Sequence, residues 1–179
     1  MISEKERNAL LEFHDAAFGQ CWPKRLRWSI DGDPASWSGV RLDKDDRVVG
    51  LEIVLEVRER ADFAGEIHSW LDRNRGSDKR QTDFPFIAPE LVDLDNLEVL
   101  RLRLNLQGAI PESLGQLGSL QTMDLGENQL SGAIPESLGE LGNLQTMDLG
   151  KNQLSGAIPE SLGELGSLQT MDLGENQLS

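Results

Sequence analysis

Only one cysteine, Cys21, and two histidines, His14 and His68, occur among 179 residues, and tyrosine is missing altogether. A lone cysteine excludes an intramolecular disulfide framework. Neither histidine lies in a nucleophile, carboxylate or metal-ligand pattern, and no phosphate loop or hydrolase elbow is present. The sequence therefore points to no catalytic residue, no metal and no cofactor, and not to an enzyme. His14 is expected on the surface of an N-terminal helix, and His68 is expected to be structural. No apolar run approaches the roughly 20 residues of a membrane span. Met1 to Gln20 is too charged to read as a signal peptide, and no N-x-S/T acceptor occurs. These absences predict a cytoplasmic chain with no membrane contact, or an extracellular one if the sequence is a fragment.

Basic residues are scarce too. Net charge is −14. Met1 to Asn96 has 20 acidic and 14 basic residues, whereas Leu97 to Ser179 has 11 and 3. That field disfavours nucleic acid and anionic membranes and suits a basic protein or peptide. Acidic surface that only maintains solubility is the alternative.

What the chain has is repetition. Leu120 to Asn143 and Leu144 to Ser167 agree at 22 of 24 positions, differing only at Glu127/Lys151 and Asn143/Ser167. A fixed period of this length means a solenoid whose units bury apolar faces against one another. Met123 and Leu125 share one face of a short strand at the two-residue period. Leu130, Ile134, Leu138 and Leu141 complete the apolar wall. Asn105, Asn128, Asn152 and Asn176 fall where the chain leaves each strand, and their amides can satisfy turn backbone as an internal ladder.

The pattern L-x-x-L-x-L-x-x-N-x-L-x-G-x-I-P resembles plant-type leucine-rich repeats. It is carried by Leu120, Met123, Leu125, Asn128, Leu130, Gly132, Ile134 and Pro135, and again by Leu144, Met147, Leu149, Asn152, Leu154, Gly156, Ile158 and Pro159. Leu97 to Ser119 is a 23-residue version with one residue lost between Asn105 and Leu106. The resemblance implies an α/β, right-handed solenoid used for protein recognition. Its parallel sheet would line the concave face and its convex side would be mostly 3-10 or irregular.

The resemblance also implies an N-terminal helical cap. Ser3 and Glu6 form a capping-box pattern ahead of Ala9, Leu10, Phe13, Ala17 and Phe18, predicting a helix over roughly 4–18. Trp22, Trp28 and Trp37 read as packing for this cap. Trp37-Ser-Gly-Val40 resembles the cap's W-x-G-V motif, but Ala35 and Leu42 stand where the family carries its cysteine pair. The chain divides accordingly. Residues 1–47 form the cap, and 48–96 form a degenerate first repeat with a polar insertion at about 72–83. Residues 97–179 are regular repeats, the last incomplete. The insertion carries the basic cluster Arg73, Arg75, Lys79 and Arg80, and is either a functional loop or a tolerated one.

Strand geometry nominates the concave face. Its columns are Val99, Thr122, Thr146, Thr170; Arg101, Asp124, Asp148, Asp172; Arg103, Gly126, Gly150, Gly174; and Leu104, Glu127, Lys151, Glu175. Strands about 4.8 Å apart would make the aspartates a like-charge ladder that resists full ionisation and favours an incoming cation. The same carboxylates could instead be merely solvated. Three readings follow: a non-catalytic module binding a protein or peptide, a fragment of a receptor-like signalling ectodomain, and an ice-interacting or structural repeat protein. Ser179 falls halfway through a unit, so the last turn is expected to fray or to pair end to end with another copy.

Overall fold

A chain that leaves each strand through a Gly- and Asn-bearing turn, and meets a Pro before the next apolar pair, coils rather than collapses. The computed structural model describes residues 2–17, 36–54 and 86–179. Trp22, Trp28, Cys21, His68 and the insertion at 72–83 lie outside the described residues.

Helix α1 spans Glu4–Ala17, and Phe18 lies outside the described residues. Its capping box is closed: the Glu6 N–H donates to Ser3 Oγ (3.2 Å), and the Ser3 N–H donates to Glu6 Oε2 (3.1 Å). Glu6 is itself buried, and its Oε1 accepts the Val48 N–H at 2.8 Å, tying the helix to the first long strand. Its Leu10 and Phe13 are buried in the same core cluster as Trp37. His14 is buried at 5% exposure, not on the helix surface, because it follows Phe13 onto the packed side.

Strands β1 (Val40–Leu42) and β2 (Val48–Val54) form an antiparallel hairpin. It begins at Gly39, whose φ of 90° and contact with the Glu52 carbonyl leave no room for a side chain. The concave sheet then continues in parallel through β3 (Val99–Arg103), β5 (Thr122–Asp124), β7 (Thr146–Asp148) and β9 (Thr170–Asp172). β2 pairs directly with β3, Leu51 opposite Leu100. Residues 55–98 thus connect neighbouring strands.

Inside, apolar side chains stack turn upon turn. Leu100, Met123 and Met147 form one fully buried column, and Leu102, Leu125 and Leu149 another. Each such side chain contributes about 2 kcal/mol by leaving water. Across the core lie short 3-10 turns at Pro89–Asp93, Glu112–Gln116, Glu136–Glu140 and Glu160–Glu164. Pro111, Pro135 and Pro159 precede the last three with φ of −66°, −63° and −57°, the value their rings impose. Met171 is 46% exposed where Met147 is buried.

A second sheet was not anticipated. β4 (Gln107–Gly108), β6 (Gln129–Gly132), β8 (Gln153–Gly156) and β10 (Gln177–Leu178) pair in parallel just after each turn. These runs are too short, and too rich in Gln, Ser and Gly, for propensity to mark them as strands. Stacking of the main sheet brings them together.

Candidate functional site

Between the two sheets runs the asparagine ladder. Asn152 Oδ1 accepts the Leu130 N–H at 2.9 Å, while its Nδ2 donates to the Leu125 and Leu149 carbonyls, both at 3.0 Å. Asn176 repeats this one turn on, bonding Leu154, Leu149 and Leu173. Asn128 accepts two N–H groups, those of Leu104 and Leu106, each at 3.0 Å.

Asn105 does not join them. It sits in the left-handed region at φ 64°, and its Oδ1 accepts a bond from Gln129 Nε2 at 2.8 Å. The lost residue explains the difference. With one position fewer, Leu104 turns into the core and is fully buried, and Asn105 takes the left-handed place that Glu127, Lys151 and Glu175 hold in the other turns. The concave column expected to begin at Leu104 therefore begins at Asn105.

On the concave face the strand register aligns Arg101, Asp124, Asp148 and Asp172 in one row, and Val99, Thr122, Thr146 and Thr170 in the next. Thr122 and Thr146 are half-buried; Thr170, Asp172, Glu175 and Lys151 are exposed. The chain supplies its own cations at one end. Arg103 grips Asp124 through Nε (3.2 Å) and Nη2 (3.0 Å), reaches Glu127 at 3.0 Å and touches Asp148 at 3.3 Å. Arg101 bridges Asp124 at 3.1 Å and Glu52 at 2.9 Å. Glu52 belongs to this face although sequence reasoning passed over it. Its place in Leu51-Glu-Ile53, opposite Arg101, was the available signal.

Gly126 and Gly150 follow from the aspartates. A Cβ at Gly126 would stand 2.7 Å from the Asp148 carboxylate, so the small residue lets each carboxylate lean back over the preceding turn. Asp148 Oδ1 accepts the Gly150 N–H at 2.9 Å, and Asp172 Oδ1 the Gly174 N–H at 2.8 Å. Burial holds the Asp148 carboxyl above its ordinary range, and the charges of Asp124 and Asp172 push the same way. Arg103 is held above its ordinary value, chiefly by the bond to Asp124.

A parallel concave sheet, an internal asparagine ladder and 3-10 turns on the far side define a leucine-rich-repeat solenoid. The family model described as Leucine Rich Repeat matches residues 119–141 and 143–165. No curated protein sequence matches the chain. Among solved structures, a plant ice-binding protein is 28% identical with a TM-score of 0.74, covering 99% of this chain and 50% of its own. The ectodomain of the plant membrane receptor kinase GASSHO1/SCHENGEN3 from Arabidopsis thaliana, in complex with CASPARIAN STRIP INTEGRITY FACTOR 2, is 28% identical with a TM-score of 0.62. It covers 95% of this chain and 21% of that one. The Arabidopsis receptor kinase HAESA, in complex with the peptide hormone IDA and the co-receptor SERK1, is 40% identical over 52% of this chain and 16% of that one, TM-score 0.51. The chain thus spans half or less of these relatives. Their likeness overturns the cytoplasmic expectation. That expectation rested on missing cysteines and sequons, whereas the similar folds include the ectodomain of a membrane receptor kinase.

Proposed function

We propose that this chain is a non-catalytic, extracellular recognition module that takes a protein or peptide on its concave face. The observation that carries this reading is the uneven charge of that face. Arg101 and Arg103 already engage Glu52, Asp124, Glu127 and Asp148. Asp172 and Glu175 continue the acidic columns one turn beyond the carboxylates that those arginines hold. A basic ligand is matched to that second half, and the peptide and protein complexes of the similar ectodomains support the assignment. On this reading the chain is part of, or related to, a receptor-like signalling protein.

Binding should be tested against a basic peptide library with the purified chain, at low and at physiological salt. Asp172→Asn with Glu175→Gln should weaken capture, and salt should weaken it further, since exposed charges are screened within roughly 8 Å. Glu136→Gln with Glu160→Gln, on the convex turns, should leave it unchanged. Equal losses from both pairs would reject the concave assignment. Asp124 and Asp148 are unsuitable for this test because both hold Arg103.

A second reading, ice interaction, is favoured by one observation: the 28% identity to a plant ice-binding protein across 99% of this chain. The in-register Thr122, Thr146 and Thr170 row is its candidate surface. Thermal hysteresis in solutions of the purified protein would favour it over peptide recognition.

A further inference from the structure

Two consecutive turns of this solenoid offer a ligand nearly the same surface. Moving one turn along the face replaces Thr122, Asp124 and Gly126 by Thr146, Asp148 and Gly150, the same residues in the same register. A ligand reading only these columns would meet the same residue types one strand spacing, about 4.8 Å, further on, although Asp124 is held by Arg101 and Arg103 and Asp148 by Arg103 alone. Among the concave columns of the two near-identical units, only one position differs: Glu127 in one and Lys151 in the next. Glu175 follows, so the column alternates in sign.

That column is also the one with costly backbone. Glu127, Lys151 and Glu175 have φ of 54°, 55° and 54°, a left-handed conformation suited to Gly or Asn. The short turn fills the same place with Asn105. Long charged side chains at this position give up local stability. Glu127 shows what a member of the column does with a cation: it accepts Arg103 Nη1 at 3.0 Å. Lys151 is more than half exposed, and its ammonium stands 3.9 Å from Glu127, at the outer limit of an ion pair.

We propose that Lys151 fixes the register of the ligand. Resting on the concave-face reading above, the partner is then a peptide presenting an acidic side chain to Lys151 and a basic one to Asp172 and Glu175. Side chains two residues apart in an extended peptide lie roughly 6.6 Å apart on one face, a span that the ligand's basic side chain and the long Lys151 side chain adjust to the strand spacing.

The test uses the full chain and three blocked pentapeptides: Ala-Asp-Ala-Arg-Ala, the reversed Ala-Arg-Ala-Asp-Ala, and Ala-Arg-Ala-Arg-Ala. Binding is followed by NMR amide shifts. The native chain should prefer an Asp/Arg peptide over the Arg/Arg one by roughly two- to fivefold, the range an exposed ion pair supports. Lys151→Glu should invert that preference, with shifts still centred on 148–175. If concave shifts persist and Lys151→Glu leaves the preference unaltered, the register role is wrong while the concave reading survives. If no concave amide shifts with any of the three peptides, both fall.

Discussion

Asn105 and Asn152 have the same side chain and opposite duties. Asn152 is buried and bonds four backbone groups; Asn105 is half-exposed and occupies a left-handed position. Asn152→Leu should therefore cost on the order of 2 kcal/mol, because the backbone groups it serves stay buried without partners. Asn105→Gly should change stability by at most about 0.5 kcal/mol, since glycine accepts φ of 64° freely. Urea unfolding of the two variants checks both. Acid reads a third residue. The Arg47 side chain and backbone N–H hold Asp43 at about 2, well below the ordinary carboxylate range. A lowered value means that its ionised form favours the fold. The contribution is present above the ordinary range and is lost as pH falls towards 2. NMR titration should place Asp43 near 2, and Arg47→Gln should return it upwards. Asp148 has the opposite sign. Its folded value is raised, so ionisation works against the fold as pH rises through that value, and Asp172→Asn should bring its midpoint down.

At the level of the element, the 3-10 turns stack more closely than any surface pattern suggests. A Cβ on Gly115 would collide with the Ser137 carbonyl, and one on Gly139 would collide with Ser161, each in the following turn. Gly118 and Gly142, three residues later, face open space. Gly139→Ala should cost about 1–3 kcal/mol through forced separation of turns, whereas Gly142→Ala should be near neutral. Thermal melts of the two variants settle the contrast. The main strands were legible in the sequence because Leu, Met and Leu recur at fixed spacing, and the helix because Ser3 and Glu6 announce it. The second sheet was not, since Gln129 to Gly132 has no strand-like composition and pairs only because its neighbours are held in place. The aspartate row could be read from spacing alone. Its neutralisation by Arg101 and Arg103 could not, because it depends on side-chain reach across turns 23 residues apart in one case and 45 in another.

For the molecule as a whole, stability runs along one axis. Each turn rests on its neighbours, so protection against exchange should follow how much apolar surface each turn shares. Amides of Leu144 to Leu149, whose apolar side chains are fully buried, should exchange much more slowly than those from Leu168 onward, where Met171 is 46% exposed. Equal protection in a proven monomer would contradict this gradient. At the other end, α1 covers the first turn, and Lys5 ties its outer side to Asp95 at 2.9 Å and Asp93 at 3.6 Å.

The near-identity of two units makes the chain's length adjustable, though not evenly. Ser119, Asn143 and Ser167 all lead into the same Leu-Gln-Thr-Met run. Excising either 24-residue unit would rejoin matching ends and shorten the concave sheet by a single strand. Loss of 144–167 would leave Arg103 facing Glu127 as before. Loss of 120–143 would bring Lys151 against Arg103, trading an ion pair for a repulsion. Unequal exchange between the two copies would thus yield one viable shorter form more readily than the other.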